Sequence, residues 1–334
     1  MPDPVSVASP LAAAPLAELT RDDVRSGRAL VESSHVGHVV VVGPDGELAG
    51  ALGDPHRVTF VRSSIKAFQA TASLEVLAAH GGVTELPAAE LAIGQASHRG
   101  EPRHLAAVRD LLARSATSPE ELTTPPARPE AQPELPAEPL HYNCSGKHAL
   151  FALAGRALGC PREQLLDPDG PLQSRVLAVL EDVLGPPAAV GVDGCGAPAV
   201  AVPLLRLAEA FRRLRTEDRW APARDAALAE PWLVGGEGRL DSALLAAGVS
   251  VKVGAEGVYG ASWTDGAGDV WGVAVKAEDG SGRAADAGLL GLLRALDVVP
   301  ADVHELERPT GGGVPVGVLR PAATVTALGR RLAG

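Results

Sequence analysis

The chain uses lysine sparingly, and its lysines lie in segments that could carry chemistry. Its thirty basic residues comprise only four lysines, and three of these (Lys66, Lys147 and Lys252) lie in segments rich in Ser, Cys or Gly. A desolvated amine can lose its proton near neutral pH, whereas a guanidinium effectively cannot. Lysine can therefore act here as a base or a metal ligand, and arginine could not replace it. The alternative is that three surface lysines lie in these segments by chance.

Ser63 and Lys66 form a Ser-x-x-Lys segment between a predicted strand, Thr59–Val61, and a predicted helix, Ile65–Ala79. Three residues apart at a helix start, the two side chains share one face. A serine hydroxyl becomes an effective nucleophile when a base lies within hydrogen-bond reach, and a neutral amine is such a base. The spacing predicts Ser63 as nucleophile and Lys66 as base, with Ser64 as a competing nucleophile. The alternative is a serine that caps the helix beside a solvated lysine.

Composition excludes several classes of function. The net charge is −11 and aromatic residues make up 3% of the chain, so clustered cations and stacking platforms for nucleic acid are not expected. No run of about 18 apolar residues is present, which predicts no membrane span. Three cysteines without a secretory signal predict a reducing compartment, and we expect a cytoplasmic protein.

Strand patterns lie at both ends of the chain, around a helix-rich middle. This order predicts an α/β fold whose antiparallel sheet comes from both chain ends, with a helical subregion. We expect a flexible tail at residues 1–17 and a single domain over residues 18–334. Residues 118–139 carry seven prolines and predict an extended loop inside that domain, an interdomain linker being the alternative.

Six short segments occur in an order that identifies a family. They are Val31-Glu32-Ser33-x-His35-x-Gly37-His38, Arg62-Ser63-Ser64-Ile65-Lys66, Ala96-Ser97-His98-x-Gly100-Glu101-Pro102, Asn143-Cys144-Ser145-Gly146-Lys147-His148-Ala149, Val192-Asp193-Gly194-Cys195-Gly196-Ala197-Pro198 and Lys252-x-Gly254-Ala255-Glu256-Gly257. The series resembles the L-asparaginase II family of the Rhizobium etli inducible type. The resemblance implies a serine β-lactamase/glutaminase-like fold, a homodimer, and hydrolysis of L-asparagine through an acyl-enzyme.

The resemblance also implies roles for particular residues. Ser63 and Lys66 match the first Ser-Lys pair, and Ser97 with Lys252 matches a second pair beside it. Two more residues, Arg62 and Asp193, match positions that contact or orient the substrate.

A zinc site is implied at Cys144, Lys147 and Cys195. Two thiolates plus one nitrogen leave an open fourth position on a tetrahedral zinc, which suits a bound water. Lysine is an unusual zinc ligand, and its assignment rests on the resemblance alone. The alternatives are two buried free cysteines or a redox-sensitive pair. Cys160 lies outside the pattern, and we expect it to be a small buried apolar residue.

The sequence therefore predicts an amidohydrolase that converts L-asparagine to L-aspartate and ammonia, with weaker or no action on L-glutamine. A penicillin-interacting serine hydrolase is the second possibility, although Ser-Asp-Asn and Lys-Thr-Gly segments are absent from the sequence. The other possibilities are an L-glutaminase and a non-catalytic zinc-binding protein.

Overall fold

The computed structural model describes residues 12–334, and the chain folds into two compact units. The first unit contains residues 12–60, 202–212 and 254–334 of the described chain. The second contains residues 61–201 and 213–253. The first unit thus joins both ends of the chain, while the second comes from its middle.

The strands follow one another along the chain with bounds set by backbone pairing. In chain order they are β1 (Ala14–Asp22), β2 (Ala29–Val42), β3 (Leu48–Leu52), β4 (Val58–Phe60), β5 (Ala189–Val192), β6 (Pro198–Pro203), β7 (Ser250–Gly254), β8 (Val258–Thr264), β9 (Val270–Ala277), β10 (Thr310–Gly311), β11 (Val314–Pro315) and β12 (Leu319–Pro321).

The helices lie mostly in the middle of the chain. In chain order they are α1 (Lys66–Val76), α2 (Ala88–Gly94), α3 (Pro102–Arg114), α4 (Ser145–Ala157), α5 (Gln173–Leu184), α6 (Leu204–Thr216), α7 (Ala221–Ala229), α8 (Pro231–Gly235), α9 (Leu240–Ala246), α10 (Gly282–Ala295) and α11 (Ala323–Leu332). In the described chain, no helix is long and apolar enough to cross a membrane.

The first unit is built on an antiparallel sheet in which β12, β1, β2, β9 and β8 are neighbours in that order, with β3 also paired to β2. Residues 39–42 are four consecutive valines with no solvent exposure, as expected for a strand covered on both faces. The prediction of an α/β protein with an antiparallel sheet drawn from both chain ends is confirmed.

Helices α10 and α11 pack on this sheet, and the start of α6 approaches β8 and β9 very closely. A Cβ on Gly272 of β9 would lie 2.2 Å from the backbone oxygen of Ala208 in α6. A Cβ on Gly260 of β8 would lie 2.0 Å from the Phe211 ring. The glycines therefore let the helix backbone lie against the strands, where a larger residue would push it away.

The second unit is mainly helical, and its interior is filled by aliphatic side chains and a few aromatics. The ring of Phe68 on α1 meets the buried Trp220 edge to face, with centroids 5.2 Å apart. Strands β5 and β6 form an antiparallel hairpin, with Val192 opposite Pro198. Residues 118–139 form a largely irregular stretch, with a backbone bridge between Ala127 and Glu138.

The structure differs in detail from three predictions: the tail over residues 1–17, the helix over residues 65–79 and the burial of Cys160. Of the tail predicted for residues 1–17, residues 1–11 lie outside the described residues, and Ala14–Ala17 begin β1. Leu16 and Ala17 are buried there, so packing orders this part of the segment. The helix expected over residues 65–79 is α1, with a 3-10 turn at Arg62–Ile65 before it and a π turn at Leu77–Gly81 after it. Cys160 is partly exposed rather than buried, because it lies in the loop after α4.

Replacing Gly272 by alanine should destabilise the protein by about 1–3 kcal/mol, because the new methyl group collides with helix backbone that cannot rotate away. Gly266→Ala is the matched control, since a Cβ at Gly266 meets no atom within 4 Å. Thermal unfolding followed by circular dichroism should show a lower melting temperature for Gly272→Ala only. Equal melting temperatures for the two variants would contradict the close approach of α6 to β9.

Candidate active site

The nine candidate catalytic, substrate-binding and metal-ligating residues all belong to the second unit. Arg62, directly before Ser63, has a φ of +51°, in the left-handed region that a non-glycine residue rarely adopts. Such a conformation costs on the order of 1–3 kcal/mol and persists where surrounding contacts enforce it, often at functional sites. The Ser64 hydroxyl donates to the Val61 carbonyl at 2.6 Å. This hydrogen bond stabilises the turn and occupies the Ser64 hydroxyl. Ser63 is only partly buried, and its hydroxyl has no hydrogen-bond partner within residues 12–334.

The Lys66 side chain is buried, with 1% of the residue exposed, and it joins three parts of the unit. Its Nζ donates to the Ala96 carbonyl, to Ser97 Oγ at 3.1 Å and to Cys144 Sγ at 3.1 Å. The structure thus places Lys66 next to Ser97 and one turn along the chain from Ser63. The amine lies where it could exchange a proton with a serine.

The loop that carries Ser97 is fixed by the buried His98. The backbone N–H of Gly100 donates to His98 Nδ1 at 3.1 Å, so Nε2 carries the proton and donates to Ser145 Oγ at 2.9 Å. Burial is the main cause that lowers the pKa of His98 well below its usual value, and the imidazole stays neutral. His98 therefore ties the Ser97 loop to the start of α4.

Cys144 lies at the N-cap of α4, and Lys147 lies in its first turn. A Cβ on Gly146 would lie 2.0 Å from the carbonyl oxygen of Ile93, so only glycine permits the start of α4 to approach the end of α2 this closely. The Ser-Gly-Lys sequence after Cys144 thus has a packing reason as well as a chemical one.

Asp193 and Cys195 lie in the tight loop that joins β5 to β6. The Asp193 N–H donates to the Ala197 carbonyl at 2.9 Å, and the Gly196 N–H donates to the Asp193 carbonyl at 2.8 Å. Gly196 has a φ of +86°, which a glycine adopts without strain. The loop holds the carboxylate and the thiol two residues apart in a fixed geometry.

Arg62 and Asp193 form an ion pair, with Nε and Oδ1 2.7 Å apart. The Tyr142 hydroxyl lies next to this pair, 3.0 Å from the point that a Cβ on Gly194 would occupy. Burial, followed by the nearby Cys144 and Cys195, raises the pKa of Tyr142 to about 12, so its hydroxyl is a neutral donor. Sequence reasoning missed Tyr142, although it lies two residues before Cys144 in the same segment.

Cys144, Lys147 and Cys195 lie close together in the second unit. Lys147 Nζ donates to Cys195 Sγ at 3.2 Å. A hydrogen bond from Cys195 is the largest cause that holds the pKa of Cys144 well below its usual value; the same bond raises that of Cys195. Burial acts to lower the pKa of Lys147, but the two sulfur groups outweigh it and the net shift is upward. In residues 12–334 no three His, Cys, Asp or Glu side chains form a metal-binding group, and this set has two such residues plus the lysine.

Lys252 is buried and paired with a buried carboxylate. Its Nζ lies 3.4 Å from Asp241 Oδ2 and 3.2 Å from the Val253 carbonyl oxygen. Burial lowers the pKa of Lys252 to about 8, Asp241 opposes this shift, and the charge of Lys66 adds to it. Lys252 is thus near its midpoint at mildly alkaline pH. The structure brings Lys66, rather than Lys252, into hydrogen-bond contact with Ser97.

Comparison with known proteins supports the resemblance found in the sequence. The model of one protein family, L-asparaginase II, matches residues 22–321, which include every candidate site residue. Comparison with curated proteins found no match.

The four lysines make the ionisation of Lys252 measurable, because a protein labelled with carbon-13 lysine should give few side-chain signals. One signal should titrate near pH 8 and disappear in Lys252→Arg. Asp241→Asn removes the negative charge that supports the ammonium, so the same signal should titrate at a lower pH. A Lys252 signal that shifts only near the ordinary value of about 10.4 would contradict this environment.

Proposed function

The chain belongs to the L-asparaginase II family, and we propose that it converts L-asparagine to L-aspartate and ammonia by a Ser-Lys acyl-enzyme mechanism. The family supports an asparaginase-type amidohydrolase. The observation that carries the finer proposal is the buried Lys66 amine, which contacts Ser97 and lies one turn along the chain from Ser63.

In the first half of the reaction, Ser63 Oγ attacks the side-chain amide carbon of asparagine. Lys66, in its neutral form, accepts the hydroxyl proton and returns a proton to the departing nitrogen as the C–N bond breaks. Ammonia leaves, and the aspartyl group is held as an ester on Ser63. The geometry supports these roles because residues i and i+3 lie close together where a 3-10 turn leads into a helix.

In the second half, water attacks the ester and releases L-aspartate. Ser97 and Lys252 form the second pair in our proposal. They take a proton from the attacking water, the bond between the acyl carbon and Ser63 Oγ breaks, and a proton returned to Oγ restores the free serine. Lys252 suits a base, since burial leaves part of its population unprotonated at pH values near 8. The contact between Ser97 and Lys66 supports a path by which the two pairs exchange protons.

Substrate binding falls to Arg62 and Asp193 in this proposal. The ion pair presents a positive and a negative group side by side. The head of a free α-amino acid carries an ammonium and a carboxylate in the same close arrangement. The Asp193 carboxylate would accept hydrogen bonds from the α-ammonium of the substrate, and Arg62 would orient the substrate next to Ser63.

The donor atoms of a proposed zinc site are two sulfurs and one nitrogen, which are ligand types that zinc binds. They come from Cys144, Cys195 and Lys147. The three donors meet in a buried place, Cys144 is predisposed to ionise, and Lys147 Nζ lies 3.2 Å from Cys195 Sγ. A bound zinc would supply Lewis-acid character. The three side chains would hold it through two thiolates and one amine, after Cys195 and Lys147 release their protons.

Each of the competing functions predicts activity on a different substrate. A penicillin-interacting hydrolase would open a chromogenic β-lactam, an L-glutaminase would prefer L-glutamine, and a non-catalytic zinc protein would release no ammonia. Ammonia release from L-asparagine and from L-glutamine, measured beside β-lactam opening, tests all of these. We expect the highest rate with L-asparagine, and activity only on the β-lactam would contradict the proposal.

The resemblance supplies three further proposals. They are a serine β-lactamase/glutaminase-like fold, a homodimer and a cytoplasmic location. The antiparallel sheet built from both chain ends supports the fold. The free thiols of Cys144, Cys160 and Cys195 agree with a reducing compartment.

Ser63→Ala should lower the rate of ammonia release by at least about 10³-fold, because the acyl-enzyme cannot form without the hydroxyl. Ser64→Ala is the matched control: the neighbouring serine bonds to backbone and should mainly affect stability. Intact-mass spectrometry of the wild type during turnover, followed by peptide mapping, should locate the aspartyl group on Ser63. An adduct on Ser97, with activity kept in Ser63→Ala, would reassign the nucleophile.

Zinc affinity should rise with pH, because the metal must displace protons from Cys195 and Lys147. Both thiols and the Lys147 amine must be deprotonated to bind the metal, so we expect the affinity to rise more steeply with pH in the wild type than in Lys147→Met, which has lost one proton-coupled ligand. Competition against a chelator at several pH values measures this, with Cys160→Ser as an unaffected control. Equal pH slopes for wild type and Lys147→Met would remove Lys147 from the coordination sphere.

A further inference from the structure

The Tyr142 hydroxyl has no role in the mechanism above, yet it faces the substrate-binding ion pair. Within residues 12–334 it has no hydrogen-bond partner, and the residue is only partly buried. The point that a Cβ on Gly194 would occupy lies 3.0 Å from this hydroxyl and 3.8 Å from Arg62 Nη2. A phenol hydroxyl and a guanidinium therefore flank one gap, which exists because residue 194 has no side chain.

The groups around the gap are complementary to the α-carboxylate and the α-ammonium of an amino acid. Arg62 uses Nε to hold Asp193, which leaves its Nη groups available to another anion. An ionised carboxylate accepts several hydrogen bonds, and those from a guanidinium are charge-assisted. The Asp193 carboxylate beside the gap suits the ammonium that an α-amino acid carries next to its carboxylate.

We propose that Tyr142 is a specificity-determining residue whose hydroxyl, together with Arg62, binds the α-carboxylate of the substrate in the gap over Gly194. The inference rests on the proposed function, because it assigns an added contact to the same substrate. It makes the site selective for free α-amino acids over amides that lack the α-carboxylate. Gly194 is then required for space and Tyr142 for the hydrogen bond.

Tyr142→Phe removes only the hydroxyl, so it tests the contact directly. The KM for L-asparagine should rise roughly 10-fold or more with little change in kcat, as expected for loss of a hydrogen bond to a charged group in both ground and transition states. The substrate 3-aminopropanamide is asparagine without its α-carboxylate. For this substrate, Tyr142→Phe should have the same kcat/KM as the wild type. An equal loss on both substrates, or no loss on either, would overturn the proposal.

A binding measurement separates this inference from the proposed function, because it needs no turnover. In calorimetry the wild type should bind L-aspartate more tightly than β-alanine, which lacks the α-carboxylate, and Tyr142→Phe should narrow that difference. Gly194→Ala provides a second variant, since its methyl group enters the gap and should also weaken L-aspartate binding. A wild type that binds L-aspartate selectively but releases no ammonia would reject the proposed function alone. Unchanged L-aspartate binding in both variants would reject the role of Tyr142.

Discussion

The buried amine of Lys66 is the interaction on which the rest of the candidate site depends. An amine removed from water is unstable unless hydrogen-bond partners replace its hydration, and leaving a buried polar group without partners typically costs about 1–3 kcal/mol. Lys66 takes its partners from the loop after α2 and from the start of α4. The hydrogen bonds of this one side chain thus hold Ser97 and Cys144 close to each other. Gly146 permits that approach, and His98 holds it.

Three lysines in one unit meet three different electrostatic environments. Lys147 is stabilised as an ammonium by two sulfur groups, whereas burial shifts Lys252 toward its neutral form. Lys66 lies between a serine and a sulfur. The same functional group can therefore hold a proton in one position and accept one in another. An arginine could fill none of the roles that require the neutral form, which gives a physical reason for the unusual distribution of lysine.

Much of this arrangement could be predicted from the sequence, because strong local patterns coincide with the final structure. The valine run in β2 and the apolar face of α1 indicated their elements directly. Strand β1 was missed because its Ala- and Pro-containing sequence gains order only by pairing with β2 and β12. Tyr142 and Asp241 could not be assigned, since their roles follow from long-range neighbours rather than from spacing.

The chain order of the two units matters while the protein is being synthesised. Val39 in β2 pairs with Val275 in β9, 236 positions later in the chain (275 − 39). The ribosome therefore completes the whole second unit before β2 can meet this partner, and domains generally fold as they emerge. During that interval the valine run at the end of β2 is left incompletely paired, a state that favours aggregation. A nascent chain of about 260 residues would contain every residue assigned to the active site, while β2 would still lack β9 as its neighbour.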